Sequence, residues 1–459
     1  MTNHIYKTQK ALAALAVLMI AGSLSCKKLI QIPPNPSNEI SESSVFADSA
    51  DIISAVVGVY ADFRVSGGGS NIFSGMITEN MGCAADEFIY AYGSTFQTNT
   101  YIATDGTVGI FWSTAYANLY QINTCLAGIA STSAISDSLK QLLTGELKMV
   151  RALHYFYLVN LFDGVPLVTG QNYQTNAVLP RSSVDSVYDL IISDLTDARK
   201  ALTPNYPSDG RARPNLYTAD ALLARVYLYR NQYAEADAMA SEVINSGLYT
   251  LVPLSGVFLS GSNEAIWQLP AVGINYQTME AESFVPYSAY SSPVYQLQSG
   301  LVNSFETGDQ RKTSWIGTST LGGTSYYPYK YKNRTATATP IEGYVVFRLA
   351  EQYLIRAEAL AQQNKLDSAL ADLNVVRQRA GLGNSTAVTG TDVLAAVMHE
   401  RQTELFAEWG HRWFDLRRTG TIDAVLGAVK PGWQPTDSTL PVPFTQIQDN
   451  SLLTQNPGY

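Results

Sequence analysis

Cysteine and histidine are scarce in this chain of 459 residues, with three of the first and four of the second. Cys26, Cys83 and Cys125 are too few for a disulfide scaffold; Cys83 and Cys125 are left either to form one bridge or to stay as buried thiols. His4, His154, His399 and His411 form no HExxH pattern and no close ligand cluster, so the usual zinc-hydrolase arrangements are excluded and no metal or cofactor is expected. No GxSxG elbow occurs, and the glycines at 67–69 and 322–323 lack the following lysine of a phosphate loop. Basic residues never run beyond isolated pairs, and 30 of them against 39 acidic residues give a net charge of −9. That balance excludes a nucleic-acid groove and disfavours strongly acidic polymers as ligands.

Long apolar runs are missing too. Residues 11–24 form an apolar stretch behind Lys7 and Lys10, too short to span a bilayer, and Ser25 stands directly before Cys26. This resembles a lipoprotein export signal, which implies removal of residues 1–25 and acylation of Cys26. Residues 26–44, polar and proline-bearing, read as a tether. The remainder, 45–459, reads as one large domain.

What is abundant is helical periodicity and tyrosine. In 348–383, Leu349, Tyr353, Leu354, Ala357 and Leu360 recur at helical spacing, and Leu366, Ala369, Leu370, Leu373 and Val376 do so after a polar turn. Small residues (Ala357, Ala359, Ala361, Ala369, Ala371) let two helices lie close, in the manner of tetratricopeptide hairpins, whose period is about 34 residues. Residues 216–247 repeat the pattern. Further helices are predicted over 45–63, 111–129, 137–162 and 183–202, the last with a Ser182/Asp185 capping box, so that eight helices make four hairpins. Helical spacing returns at 393–416. A helical scaffold over 45–66, 107–247 and 344–420 is thus interrupted by an irregular part, about 249–343 plus the loop 67–106, rich in Gly, Ser, Thr and aromatics.

Two charged strings invite a catalytic reading. Glu400, Glu404 and Glu408 lie four apart with Arg401, His411, Arg412 and Asp415 nearby, yet Leu405, Phe406, Trp409, Trp413 and Phe414 are interleaved with them. The spacing predicts a helix-to-turn corner whose partly buried charges pair with one another. In FETGDQR, 305–311, Gly308 and Asp309 predict a turn that Asp309 fixes through backbone N–H groups or Arg311.

Several separated strings resemble one family, the SusD/RagB-like outer-membrane lipoproteins: ELKMVRALHYFYLVNLFDGVPLV (146–168), FETGDQR (305–311), YVVFRLAEQYLIRAEALAQ (344–362), LNVVRQRAGL (373–382), ERQTELFAEWGHRWFDLRRTG (400–420), LPVPFTQI (440–447) and NPGY (456–459). The resemblance implies a mainly α, SusD-like fold, with four tetratricopeptide-like hairpins as a superhelical scaffold and a large loop-rich insertion. It further implies a lipid-anchored protein on the outer face of the outer membrane that binds a glycan, or in some members a peptide, and acts as a lid on a SusC-like, TonB-dependent transporter.

The residues supply a mechanism for such binding. A sugar ring lies flat on an aromatic side chain while polar groups hydrogen-bond its rim, so exposed aromatics on loops are what the site needs. The nominees are Tyr90, Tyr92 and Tyr101 in the first irregular zone and Tyr287, Tyr290, Trp315, Tyr326 and Tyr327 in the second, with Asn99 and Arg311 as polar partners. The family resemblance transfers the two zones, not the contacts. Trp112, at helical spacing with Tyr116, Leu119 and Ile122, is expected in the core. The chain is expected not to be an enzyme; the alternatives are a peptide binder, a glycoside hydrolase, for which Asp86 and Glu87 are the pair to check, and a scaffold that binds only protein.

Overall fold

The computed structural model describes residues 42–61, 63, 71–271, 277–337, 339 and 341–459. The expected signal, Cys26 and the tether up to residue 41 lie outside them. Eleven helices matter here, all but α2 in the scaffold region: α1 (Ser49–Ala61), α2 (Ile77–Ala84), α3 (Gly106–Ser131), α4 (Asp137–Phe162), α5 (Val184–Ala201), α6 (Leu216–Tyr229), α7 (Tyr233–Asn245), α8 (Leu349–Gln362), α9 (Leu366–Arg379), α10 (Gly390–Leu405) and α11 (His411–Arg418). None of the described helices is long and apolar enough to cross a membrane.

Local chemistry sets their starts. Ser136 accepts the Leu139 N–H at 3.3 Å, and Asn215 and Thr389 form reciprocal capping boxes with Thr218 and Asp392. Helix α5 corrects the expected cap: Ser183, not Ser182, is the N-cap, and its hydroxyl accepts the Ser186 N–H at 3.1 Å without a box to Asp185.

The helices pair as α1/α3, α4/α5, α6/α7 and α8/α9, and each pair packs on the next. The fold is therefore mainly α, as the four hairpins implied. Ala357, Ala359, Ala361 and Ala369 are buried where α8 meets its neighbours, whereas Ala371 faces solvent. Arg225 on α6 and Glu351 on α8, both buried, join consecutive hairpins by two hydrogen bonds of 2.7 Å. Beyond them α10 and α11 close the end of the array around the charged corner.

That corner draws its partners from elsewhere in the chain. Glu404 meets Arg311 at 3.0 Å and also pairs with Arg348 and Arg379, while Glu408 pairs with Arg348 at 2.8 Å and Lys330 at 2.5 Å. Arg401 pairs with Asp415 at 2.7 Å, and Arg418 with Glu358 at 2.5 Å. At Gly410, where φ is +71, an added Cβ would stand 2.8 Å from that of Met81, so only glycine lets the turn lie against α2.

Among its described residues the irregular half contains three two-stranded antiparallel ladders: β1 (Phe88–Tyr90) with β3 (Tyr295–Leu297), β2 (Ala265–Pro270) with β6 (Gly343–Arg348), and β4 (Ile316–Ser319) with β5 (Ser325–Pro328). The β2/β6 ladder ties the insertion to the scaffold, and Trp267 on it meets the rings of Tyr60, Phe63 and Phe347. The larger apolar core runs through both halves, and a smaller one lies between α8, α9 and α10.

Residues 71–100 are less of a loop than the missing periodicity suggests. They hold a π turn, Ile72–Met76, then α2, β1 and a short helix, Thr95–Thr98. Six of the eight α2 residues are buried, and a helix this short spans little more than two turns, too few for a helical repeat to show.

Candidate ligand-binding clefts

The β1/β3 ladder brings the two irregular zones together. Tyr90 stands opposite Tyr295 in register, and their rings lie 4.8 Å apart. Strand β1 sits tight on α2: a Cβ on Gly82 would stand 2.2 Å from the Phe88 ring. The ladder thus fixes the loop beyond β1 against the segment 285–294.

Two clefts open on either side of that segment. The first, about 690 Å³, is walled by Tyr90, Tyr92, Tyr287 and Tyr295, with Glu79, Glu282 and Arg334 among its polar groups. The second, about 530 Å³, is walled by Tyr290, Tyr327 and Tyr329 with Thr318 and Ser319. Val285, Pro286 and Ser291 line both and form their common wall. Tyr92, Tyr287 and Tyr290 are 79%, 81% and 89% exposed, so their ring faces meet solvent. Tyr327 lies flat on β4, because a Cβ on Gly317 would meet its ring at 2.2 Å.

The polar groups of the first cleft are interlocked. The Glu79 carboxylate accepts hydrogen bonds from Ser283 Oγ at 2.5 Å and from the Tyr295 hydroxyl at 3.3 Å, and its recessed position pushes its pKa up to about 7. Arg334 pairs with Glu282 at 2.6 Å, donates to the carbonyls of Glu282 and Val285, and lies 5.5 Å over the Tyr287 ring.

Five nominees therefore line the clefts: Tyr90, Tyr92, Tyr287, Tyr290 and Tyr327. Tyr326 does not, because neighbours on a strand face opposite ways and it packs on the core instead. Four others belong to the interior. Asn99 takes a left-handed turn with φ of +53, donating to the Ala84 carbonyl at 3.1 Å and accepting from Lys430 at 2.7 Å. Tyr101 is buried, with its hydroxyl on the Asp437 carbonyl and its ring against Tyr459. Arg311 is held by Asp309 at 2.8 Å and Glu400 at 2.6 Å in addition to Glu404. Trp315 has no exposed surface; its indole N–H donates to the Leu254 carbonyl at 3.0 Å, and Lys330 lies 4.6 Å over its ring.

Tyr295, Tyr329, Glu79 and Arg334 were missed. The two tyrosines carried the same compositional signal as the nominees, and Glu79 and Arg334 carried none, since only folding brings α2 and residue 334 to the loop. The Asp86/Glu87 pair lines neither cleft: Asp86 is clamped by Arg412 at 2.7 and 2.8 Å, and Glu87 is buried, its pKa pushed up to about 8. Among the described residues no group of three His, Cys, Asp or Glu is placed to hold a metal. Cys83 and Cys125 are free buried thiols. Trp112, 3% exposed, packs on Phe162 and walls a third, mostly apolar cavity of about 370 Å³ beside Tyr116, Tyr120 and Tyr173.

Comparison with known proteins agrees with this architecture. Residues 270–459 match the model of the SusD family, and residues 35–228 match a model described as starch-binding associating with outer membrane. SusD-like protein P25 of Formosa agariphila is 24% identical over 96% of this chain and 98% of its own. The starch-binding protein SusD of Bacteroides thetaiotaomicron is 23% identical over 71% of this chain and 74% of its own. A solved laminarin binding SusD-like protein superposes with a TM-score of 0.75 at 26% identity, covering 90% of this chain and 100% of its own. With both halves of the chain matched by family models and the fold shared along nearly its whole length, this chain belongs to the SusD/RagB-like family.

Proposed function

We propose that the chain is a cell-surface lipoprotein that captures oligosaccharides or polysaccharide fragments at the two tyrosine-walled clefts and passes them to a SusC-like, TonB-dependent transporter. The observation that carries the reading is the convergence of tyrosines from two distant zones on one surface, with ring faces open to solvent and hydroxyl-bearing Ser and Thr at their rims. This is the chemistry a sugar requires, an apolar face for its C–H groups and hydrogen-bonding partners for its hydroxyls. The names of the starch-binding and laminarin-binding relatives support the same ligand class. Acylation at Cys26 would hold the protein at the outer membrane facing the cell exterior; the outer-membrane description of the matched model supports this placement. Residues 26–44 as tether and 249–343 with 67–106 as binding part complete the proposed organisation.

The testing experiment is calorimetric titration of the full chain in detergent against neutral glycans, acidic glycans and short peptides, followed by chromatography of each ligand. Heat with intact glycan, lost in Tyr287→Ala and Tyr290→Ala, is the expected result. Heat with peptides alone moves the ligand class, and shortened glycans would assign hydrolysis to Glu79 and Glu282, the carboxylates of the first cleft. Silence toward every ligand, with retained association to the transporter, would leave a protein-only scaffold.

A further inference from the structure

Charge in the clefts narrows the ligand class. Among the described residues that line them, only Glu79, Glu282 and Arg334 have acidic or basic side chains, and all three are in the first cleft. Arg334 is the single cation there, and three of its N–H groups are taken: Glu282 accepts from one nitrogen, the carbonyls of Glu282 and Val285 accept from the other, and the Tyr287 ring covers a face. Glu282 and Arg334 cancel, so the net charge follows Glu79. Among the described residues one more cation borders the site. Lys332 lies 5.2 Å over the Tyr329 ring, beside Glu342, whose ionised form it stabilises.

We infer that the first cleft selects a neutral glycan and rejects glycans bearing carboxylates or sulfates. An anionic sugar entering it would leave water for a surface whose one cation is already paired with a carboxylate and whose floor holds a further carboxyl group, where like charges repel and little charge-assisted hydrogen bonding repays the lost hydration. A neutral sugar meets no such obstacle, since its hydroxyls can donate to the Glu79 carboxylate and exchange roles with Ser and Tyr hydroxyls. The discrimination sharpens with rising pH. Glu79 ionises around 7, and the groups facing it are the Tyr295 hydroxyl, the Ser283 hydroxyl and the buried Glu280 and Cys83, none of them a cation.

This inference rests on the glycan-capture reading, and one experiment separates the two. The full chain in detergent is titrated with length-matched neutral oligosaccharides (β-glucan, α-glucan, mannan) and anionic ones (oligogalacturonate, oligoalginate, a sulfated galactan), with wild type, Tyr287→Ala and Glu282→Gln in parallel. Binding confined to neutral glycans, insensitive to salt, is the expected result. Glu282→Gln, which removes the countercharge of Arg334, is expected to raise affinity for oligogalacturonate by about tenfold, or about 1.4 kcal/mol. Wild-type binding of an anionic glycan that Tyr287→Ala removes would overturn the inference and keep the site. No gain in Glu282→Gln would overturn the role given to that pair, and no binding of any glycan would overturn the site itself.

Discussion

Tyr290 already meets solvent over 89% of its surface, so truncating it removes almost no packing. Tyr290→Ala and Tyr287→Ala should change stability by no more than about 0.5 kcal/mol while weakening glycan binding about tenfold, checked by denaturant titration beside calorimetry. Trp315→Ala should do the reverse. It empties a site with no exposed surface and orphans the Leu254 carbonyl, a loss of about 3–5 kcal/mol in unfolding free energy. Residue type alone did not separate these cases, because Tyr and Trp serve cores and sugar surfaces equally well. The cysteines give a further check: burial pushes the Cys83 and Cys125 thiols up to about 12 and 11, so neither should react with a thiol reagent until the chain unfolds.

At the scale of elements, α10 shows how a helix turns charges inward. Glu404 on it is the meeting point of guanidinium groups from residue 311, strand β6 and helix α9, and these hold its carboxyl well below the ordinary range despite burial. Glu404→Gln should cost about 3–5 kcal/mol, measured by chemical denaturation, because the arginines stay buried with less countercharge. The sequence showed that this corner would be paired, through the alternation of charges with Leu405, Phe406 and Trp409. It did not show with what, since Arg311 lies 89 positions before Glu400 and the contact exists only once the insertion is folded. Helix α2 was illegible for the opposite reason. Its eight residues span little more than two turns, too few for the repeat that makes the 14-residue α8 and α9 plain.

Over the whole molecule the interior keeps several acids protonated. Burial pushes Glu280 up to about 8, and its Oε2 has no hydrogen-bond partner, as suits a group that does not carry charge. A folded-state value above the ordinary 4.5 means that the stabilisation is complete at pH values below 4.5 and is lost as pH rises through 8. Glu280→Gln cannot ionise, so its melting temperature should gain on wild type between pH 5 and about pH 9; a constant difference across that range would refute the assignment. Architecture at this scale was the most legible feature, because four hairpins repeat one pattern. The clefts were the least, because the pairing of Tyr90 with Tyr295 joins segments that no local pattern relates.

The wall of Val285, Pro286 and Ser291 has a last consequence. A saccharide confined to one cleft gains one attachment, whereas a chain long enough to pass over the wall gains a second from the same molecule at high effective concentration. Such a surface grades its ligands by degree of polymerisation. Under the proposed glycan capture, residence time should rise in a step once an oligomer reaches across, so that longer fragments are retained and short ones drift away.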